Sequence, residues 1–352
     1  MAYTSINDSS AQFQVQLYTG NQSTKNVVNG GNSNLQPDWV WIKARNATRD
    51  HRLMDSTRGV QKELVSNGTA AEYTEATGFT AFQSDGFQHG GANGYGASGE
   101  TYVSWQWKAN GGTTTTNDAS STSVGTIDSV YQANTTAGFS IVTYTGTGSA
   151  GTIAHGLGVA PTLIIGKDRS DTSQWFVQHP AFGATHYGEL DDTTAFADDA
   201  NYFNDSTPTS TVFGIGSDGA TGGTTNYVAY CFAPIQGYSK FGKYTGNGNA
   251  DGPFVYTGFK PAWLMIKETI SGGGWGMWDN KRTPTNPMKI RLLANTSAAD
   301  DTSNDNSVDF LSNGFKMRTS SGSFNQNSTN ILYMAFAEHP FVSSKGVPTT
   351  AR

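Results

Sequence analysis

Two adjacent carboxylate pairs, Asp191-Asp192 and Asp300-Asp301, are where this chain comes nearest to bond-breaking chemistry. Glycoside hydrolysis needs two acids facing one another across a cleft, which neighbours in sequence do not provide. Both pairs also lie in turn-rich sequence. The six histidines (His51, His89, His155, His179, His186 and His339) follow no H-E-x-x-H or comparable ligand spacing. The run 300–306 could gather oxygens around calcium, but it lacks the glycine and the later glutamate of an EF-hand loop and reads as a solvated loop. Glycine-rich 90–96 matches no phosphate-binding loop. The one cysteine, Cys231, excludes an intrachain disulfide, and its strand-like neighbours predict a small buried thiol. No catalytic residue, cofactor site or metal site is assigned on these grounds.

The elements that would have to position any site are written three times. Tyr-Thr-Gly occurs at Tyr18, Tyr144 and Tyr244. Each copy leads to a proline-headed apolar run ending in lysine: Pro37 to Lys43, Pro161 to Lys167 and Pro261 to Lys267. Each unit closes on a second apolar run ending at Trp107, Phe232 and Phe336. From Tyr to Pro the spacings are 19, 17 and 17 residues, and from Pro to the closing aromatic 70, 71 and 75. Agreement over such intervals marks an internal repeat.

Equivalent positions in the repeat are the candidate site residues. Eighteen residues after the prolines stand Asp55, His179 and Asp279, with Arg58, Phe182 and Arg282 three further on. Units one and three thus share Asp-x-x-Arg. A structural ion pair tying a strand end to a loop accounts for this, and a polar ligand site in two copies is the alternative. Lys43, Lys167 and Lys267 read as strand-end lysines that discourage edge pairing, with a role in subunit contacts as the other reading. Ser84-Asp-Gly-Phe87 and Ser312-Asn-Gly-Phe315 predict hairpin entries into a buried strand, with Phe213 as the counterpart in unit two.

Period-two alternation in 13–17 and in the closing runs predicts strands. Val103/Trp105/Trp107, Val228/Tyr230/Phe232 and Leu332/Met334/Phe336 should face the core, leaving Ser104, Gln106, Ala229, Cys231 and Ala335 on a more open face. Trp39, Trp41, Trp263 and Met265 are expected as core filler. Helix signals are thin, with single turns expected at 69–73 and 296–300. The fold class that follows is all-β, as three tandem β-sandwich units resembling jelly rolls. Their bounds are 1–109, 139–234 and 241–352. Residues 110–138 read as a linker or exposed loop, and 342–352 as an exposed terminus.

Composition limits the function. Only 14% of the 352 residues are charged, aromatics reach 12%, and glycine accounts for 42 positions. Turn-formers with aromatic and β-branched residues describe a loop-rich β protein rather than a disordered chain. A net charge of −6 without a basic cluster argues against nucleic-acid binding. No apolar run of membrane-spanning length and no signal peptide are visible.

At these motifs the chain resembles repeat-bearing virion proteins of tailed marine bacteriophages, which carry copies of a domain of unknown function and are often labelled tail-fibre-like. The resemblance rests on Gln36-Pro-Asp-Trp-Val-Trp-Ile-Lys43, Asp55-Ser-Thr-Arg-Gly59, Ser84-Asp-Gly-Phe87, Tyr102-Val-Ser-Trp105, His155-Gly-Leu-Gly158, Tyr227-Val-Ala-Tyr-Cys-Phe-Ala233, Gly237-Tyr-Ser-Lys-Phe-Gly242 and Ala335-Phe-Ala-Glu-His-Pro-Phe341. It implies a non-enzymatic virion protein made in the host cytoplasm and displayed on the particle. A tail-fibre or tail-tip role in host attachment is the leading expectation, with a host-surface glycan as ligand. Capsid decoration or a head appendage is the alternative, and a lectin-like glycan depolymerase the third reading. The partners implied are other virion proteins and further copies of the chain, as a homotrimer, with neither nucleic acid nor membrane insertion.

Overall fold

In the computed structural model, which describes residues 4–270, 272–303 and 306–339, the alternating runs become strands assembled the same way three times. Unit one holds β1 (Phe13–Thr19), β2 (Lys25–Val27), β3 (Trp39–Ala44), β4 (Arg52–Asp55), β5 (Lys62–Glu63), β6 (Tyr73–Thr74), β7 (Phe79–Gln83), β8 (Gly86–His89) and β9 (Thr101–Trp107). Its main sheet runs β1-β9-β3-β4 and is backed by a small sheet, β2-β8-β7.

Next come β10 (Thr115–Asn117) and β11 (Ser129–Asn134), followed by β12 (Phe139–Thr145), β13 (Gly151–Ala154), β14 (Leu163–Asp168), β15 (Trp175–Gln178), β16 (His186–Glu189), β17 (Ala197–Asp198), β18 (Val212–Ile215) and β19 (Asn226–Phe232). They form a sheet of order β10-β11-β12-β19-β14-β15-β16-β17 and the pair β13-β18. Unit three holds β20 (Ser239–Thr245), β21 (Phe254–Tyr256), β22 (Lys260–Glu268), β23 (Gly276–Asp279), β24 (Leu292–Leu293), β25 (Val308–Leu311), β26 (Gly314–Met317) and β27 (Asn330–His339). Its sheets are β20-β27-β22-β23-β24 and β21-β26-β25.

The common kernel is opening strand, closing strand, proline-led strand, next strand, and its register repeats as well. Trp39 pairs Trp107, Leu163 pairs Phe232, and Trp263 pairs Phe336. The hairpins read from Asp-Gly and Asn-Gly are present, with Gln83 opposite Gly86 and Leu311 opposite Gly314. A Cβ on either glycine would stand within 2.1 Å of a carbonyl oxygen on the neighbouring strand, Val27 or Val255. Glycine is therefore demanded by close approach of two backbones.

Four expectations are corrected. Ser104, Gln106, Ala229, Cys231 and Ala335 do not lie on an open face; all are fully buried. In units one and two that face packs on the unit's own small sheet, as where Tyr102, Val40 and Ile42 meet Phe79 and Phe87, and Tyr227, Ala229 and Cys231 meet Ile153 and Phe213. Gln106 satisfies its amide by a reciprocal pair with Asn29 at 2.7 and 3.0 Å. The large apolar face is the one turned toward the other units. Secondly, β3, β14 and β22 are interior strands, so Lys43, Lys167 and Lys267 protect no edge. Thirdly, 110–138 is no free linker, because β10 and β11 extend the sheet of unit two. Fourthly, 69–73 and 296–300 form no helical turn; their amides reach across to neighbouring units, Glu72 to Arg169 O and Asp300 to Arg45 O. The 342–352 terminus lies outside the described residues.

One continuous core joins the units. Trp39 stacks on Tyr230 with ring centroids 4.4 Å apart, Trp107 meets Trp263 at 5.6 Å, and Phe232 meets Phe336 at 6.0 Å. The chain is thus a closed ring of three two-layered units. Because the inner faces cover one another, Trp39→Ala is expected to cost about 3–5 kcal/mol and to lower a single unfolding transition. Separate unit-by-unit transitions in circular dichroism of the denatured series would contradict the shared core.

Candidate functional site

The repeat positions singled out by spacing all stand at the seams between units. Asp55 ends β4 and Arg58 follows in the next turn. Asp55 accepts the Arg58 amide at 2.8 Å, Arg58 Nε at 2.5 Å, and Tyr230 OH from unit two at 2.8 Å. Arg58 also donates to Glu72 at 2.9 Å, and Glu72 takes both prongs of Arg169 from unit two at 3.0 Å. Burial opposes the charge on Arg58, yet Asp55, Tyr230 and Glu72 hold its pKa above the ordinary arginine value. Burial likewise opposes charge on Glu72, but Arg169 and Arg58 keep its carboxyl below the usual range.

The seam from unit three to unit one repeats this chemistry. Asp279 accepts the Arg282 amide at 2.8 Å, Arg282 Nε at 2.5 Å, and Trp105 Nε1 from unit one at 3.2 Å. Arg282 donates to Asp300 at 2.9 Å, and Arg45 of unit one reaches the same carboxylate at 2.9 Å. The Arg282 guanidinium lies 5.6 Å from the centre of the Trp105 ring, a cation–π contact.

At the seam from unit two to unit three the polar side chains of the clasp are exchanged. His179 Nδ1 accepts the Ala181 amide, so its Nε2–H donates to Tyr333 O of unit three at 3.3 Å. Burial pushes the His179 pKa down to about 3, and the ring is neutral. Phe182 stacks on Phe196 at 5.0 Å, where the other seams place arginine against carboxylate. The Phe196 amide bonds Thr269 O, as Glu72 and Asp300 bond Arg169 and Arg45. Met334 occupies the closing-strand position of Tyr230 and Trp105, and Phe182 stands where those rings face an arginine. Donor rings meet Asp-x-x-Arg; a thioether stands beside His179.

A second tether recurs fourteen residues after each proline. Trp175 Nε1 donates to Val65 O of unit one, and Trp275 Nε1 to Glu189 O of unit two, both at 2.8 Å. His51 takes the third place. Its Nδ1 accepts Trp41 Nε1 at 2.8 Å, leaving Nε2–H for Leu293 O of unit three at 3.0 Å.

The lysines are buried beside the seams. Lys43 and Lys167 donate to carbonyls of their own β-turns, Ala44 O at 2.7 Å and Asp168 O at 2.9 Å. Lys267 bridges Gly273 O at 2.7 Å and, across the seam, Thr193 O at 3.1 Å. Desolvation brings each of the three down to about 8.

Several seam residues escaped the sequence reading: Arg45, Arg169, Glu72 and Phe196; Tyr230 and Trp105 were expected in the core, where they lie, but not as donors to the aspartates. Arg45, Arg169 and Thr269 all stand two residues after the repeat lysine. Glu72 and Phe196 share an offset of 35 from the proline, and Asp300 stands at 39 after a four-residue insertion in unit three.

Each of the suggested acids has a structural partner. Asp191 accepts the Trp175 amide at 2.8 Å, Asp192 caps the turn at Thr193 and Thr194, Asp300 is held by two arginines, and Asp301 pairs with Arg291 at 2.5 Å. A broad depression of about 770 Å³, edged by Thr69 of unit one and by Asp171, Gln174, Tyr202 and Asp218 of unit two, contains none of them. Among the described residues no three His, Cys, Asp or Glu side chains gather to hold a metal ion. No helix of the described residues is long and apolar enough to cross a membrane.

Breaking a buried pair strands its partner, so Arg58→Met or Arg282→Met is expected to cost about 3–5 kcal/mol in denaturant titration. Joint replacement of Asp55 and Arg58 by Leu and Met should recover much of that loss. The lysines make stability depend on alkaline pH. From about pH 8 to the ordinary lysine range near 10.4 the unfolded chain holds protons that the folded one has released, so stability rises with pH. Cys231, whose thiol burial pushes up, opposes this with one group, and the raised buried tyrosines oppose it above about pH 10. Thermal melts should therefore peak between these limits, and replacing the three lysines by methionine should flatten the rise.

No curated protein matches the chain. A family profile described as a domain of unknown function (DUF7483) matches residues 8–340. With nearly its whole length inside that match, the chain belongs to this family.

Proposed function

We propose that this chain is a non-enzymatic structural protein of a bacteriophage particle, displayed on its surface as a tail-fibre or tail-tip component that contacts the host. The observation that supports the reading best is where the reactive groups go. The repeated Asp, Arg, Lys and His side chains are spent on structural bonds: Asp55, Asp279, His179 and Lys267 reach across a seam, Arg58 and Arg282 pair with their own aspartates, and Lys43 and Lys167 cap their own turns. What such a body offers other molecules is its outer loops, rich in Gly, Ser, Thr and Asn, on a rigid ring. Small polar loops beside aromatic rings suit a host-surface glycan.

Capsid decoration is the second reading, and the ring itself favours it. Three similar units in cyclic order suit a local threefold position on an icosahedral shell. A homotrimer of this chain, on either reading, would have to use outer surfaces, because the seam faces are consumed within each copy. The depolymerase reading would need acids other than Asp191, Asp192, Asp300 and Asp301, whose side chains are engaged in structural bonds.

A density map of the intact particle separates the readings. The ring is expected on the tail; density on the shell would replace that assignment with decoration, and absence from the particle would overturn both. Incubation with host polysaccharide should leave chain length unchanged, and shortened chains would overturn the non-enzymatic assignment.

A further inference from the structure

Unit two departs from its neighbours at the mouth of the seam with unit one. Twelve residues after the repeat prolines stand Arg49, Ser173 and Gly273, and just before the closing strands stand Glu100, Thr225 and Thr329. The main chain confirms the equivalence. Arg49 N donates to Ser297 O and Ser173 N to Thr69 O across their seams, while Gly20, Gly146 and Gly246 donate to the carbonyls of Glu100, Thr225 and Thr329. In unit one the two positions close on each other as an ion pair at 2.6 Å, and Tyr102 OH bonds the Glu100 carboxylate at 2.8 Å. In unit three the main chain closes the gap: a Cβ on Gly273 would stand 3.1 Å from Glu268 Cβ and 3.4 Å from Ser323 O. Unit two has neither device. Tyr227, the counterpart of Tyr102, donates to Gly219 O at 2.7 Å, and the depression of about 770 Å³ lies between that loop and residues 168–174. Ligand sites typically measure about 300–1,000 Å³.

Among the described residues no Lys, Arg or His lines this space. The cations beside it in sequence are committed, Lys167 to Asp168 O and Arg169 to Glu72. Two of its carboxylates are committed too. Asp168 accepts the amides of Ser170 and Asp171 and the hydroxyl of Thr225, and Asp218 accepts the Ala220 amide. Asp171 is exposed, and among the described residues no hydrogen bond engages its carboxylate or the hydroxyls of Thr69, Thr172, Ser173 and Thr224. Tyr202, stacked on Tyr187 at 3.5 Å, and Ala220 are both buried and give the depression an apolar floor. One uncommitted acid among four hydroxyls is a poor trap for a cation. It suits a ligand with many O–H donors around a C–H face. A ligand bearing its own acid is repelled, because no cation stands between the two like charges.

We propose that this depression is a binding site for a neutral saccharide. The Asp171 carboxylate accepts sugar hydroxyls, Thr172, Ser173 and Thr224 bond others, and the Tyr202 floor lies under the C–H face of a ring. Thr69 sets one wall on unit one, so the sugar touches both units and the site exists only in the assembled ring. This inference rests on the host-contact reading for its glycan and narrows that glycan to an uncharged one.

Calorimetric titration of the full chain tests it. Maltotriose, mannotriose and triacetylchitotriose serve as neutral probes, and trigalacturonate and trilysine as charged ones. At least one neutral probe should bind with a millimolar or tighter dissociation constant, and trigalacturonate should not bind. Ser173→Arg with Thr225→Glu rebuilds the ion pair of unit one in unit two and should abolish binding while the circular dichroism spectrum is kept. Asp171→Asn alters an exposed side chain without a structural bond and should weaken binding about tenfold, as loss of one charge-assisted hydrogen bond requires. Should the double substitution disturb the fold, Asp171→Asn alone decides. Failure of every neutral probe, or binding undiminished by the substitutions, overturns the proposal. Trilysine binding more tightly than every neutral probe overturns it in favour of a cationic partner. The purified chain is titrated without the particle, so failure here leaves the host-contact reading standing, and density on the shell leaves this site standing.

Discussion

Burial of both faces of the three closing strands is the constraint on which the rest of this structure depends. A strand with one wet face can belong to an independent sandwich; one buried on both sides needs two covers. The outer cover of β9, β19 and β27 is the small sheet of the same unit. The inner cover can only be the neighbouring units, whose Trp39, Tyr230, Phe232, Trp263 and Phe336 meet around the middle of the ring. A unit removed from the ring would expose Trp105, Trp107 and their equivalents together, a surface no soluble sandwich of a hundred residues tolerates.

Such a core also dictates the chemistry of its margins. Strand ends that enter a dry interface bring main-chain and side-chain polar groups with them, and each must find a partner there. The tethers from Trp175, Trp275 and His51 serve one carbonyl per seam. The Asp-x-x-Arg clasps serve the hydroxyl of Tyr230 and the indole of Trp105. Where Met334 offers no donor, a carboxylate would lack its extra bond, and the whole set changes together to His179, Phe182, Phe196 and Thr269. Placing the Phe182–Phe196 half against Arg169 or Arg45 would leave a guanidinium without its carboxylate. The seams thereby discriminate among the possible pairings of units, in the manner of negative selection by unpaired charge.

The repeat, the strands and the two-residue hairpins were legible because each leaves a local mark: period two, a proline, an Asn-Gly or Asp-Gly. The offset of eighteen residues pointed to the right positions, and the contrast between Asp55 and His179 already signalled a structural role. What could not be read was which partner each residue meets, since Tyr230 lies 175 positions from Asp55. Alternation of large and small side chains in the closing runs suggested an open second face, yet Ser104, Ala229 and Cys231 are small because a second sheet presses on them. The lysines misled for a related reason. Their aliphatic stems fill the inner face while carbonyls of the following turn receive the ammonium, a pattern without a signature of its own. Residues 119–122 and 300–303 show that polar composition does not by itself make a loop free, since adjoining segments pair with β12 or clasp an arginine.

A ring fused in one chain has a freedom that an assembly of identical copies lacks. In a homotrimer each substitution appears at all three seams at once, so a residue must suit every interface it repeats in. Here seam two–three exchanges five residues without disturbing the ionic seams on either side. The same freedom explains why the edges of the small sheets diverge. Inserting 110–138 between units one and two supplies strands β10 and β11 and the cover on β13, changes that identical subunits would have to make three times over. Difference between units, rather than their likeness, is therefore where this chain's specific contacts with other molecules are to be sought. Among the described residues, the edge of β21, aromatic and capped by Lys240 where its two counterparts are polar or paired with 126–127, is one such difference.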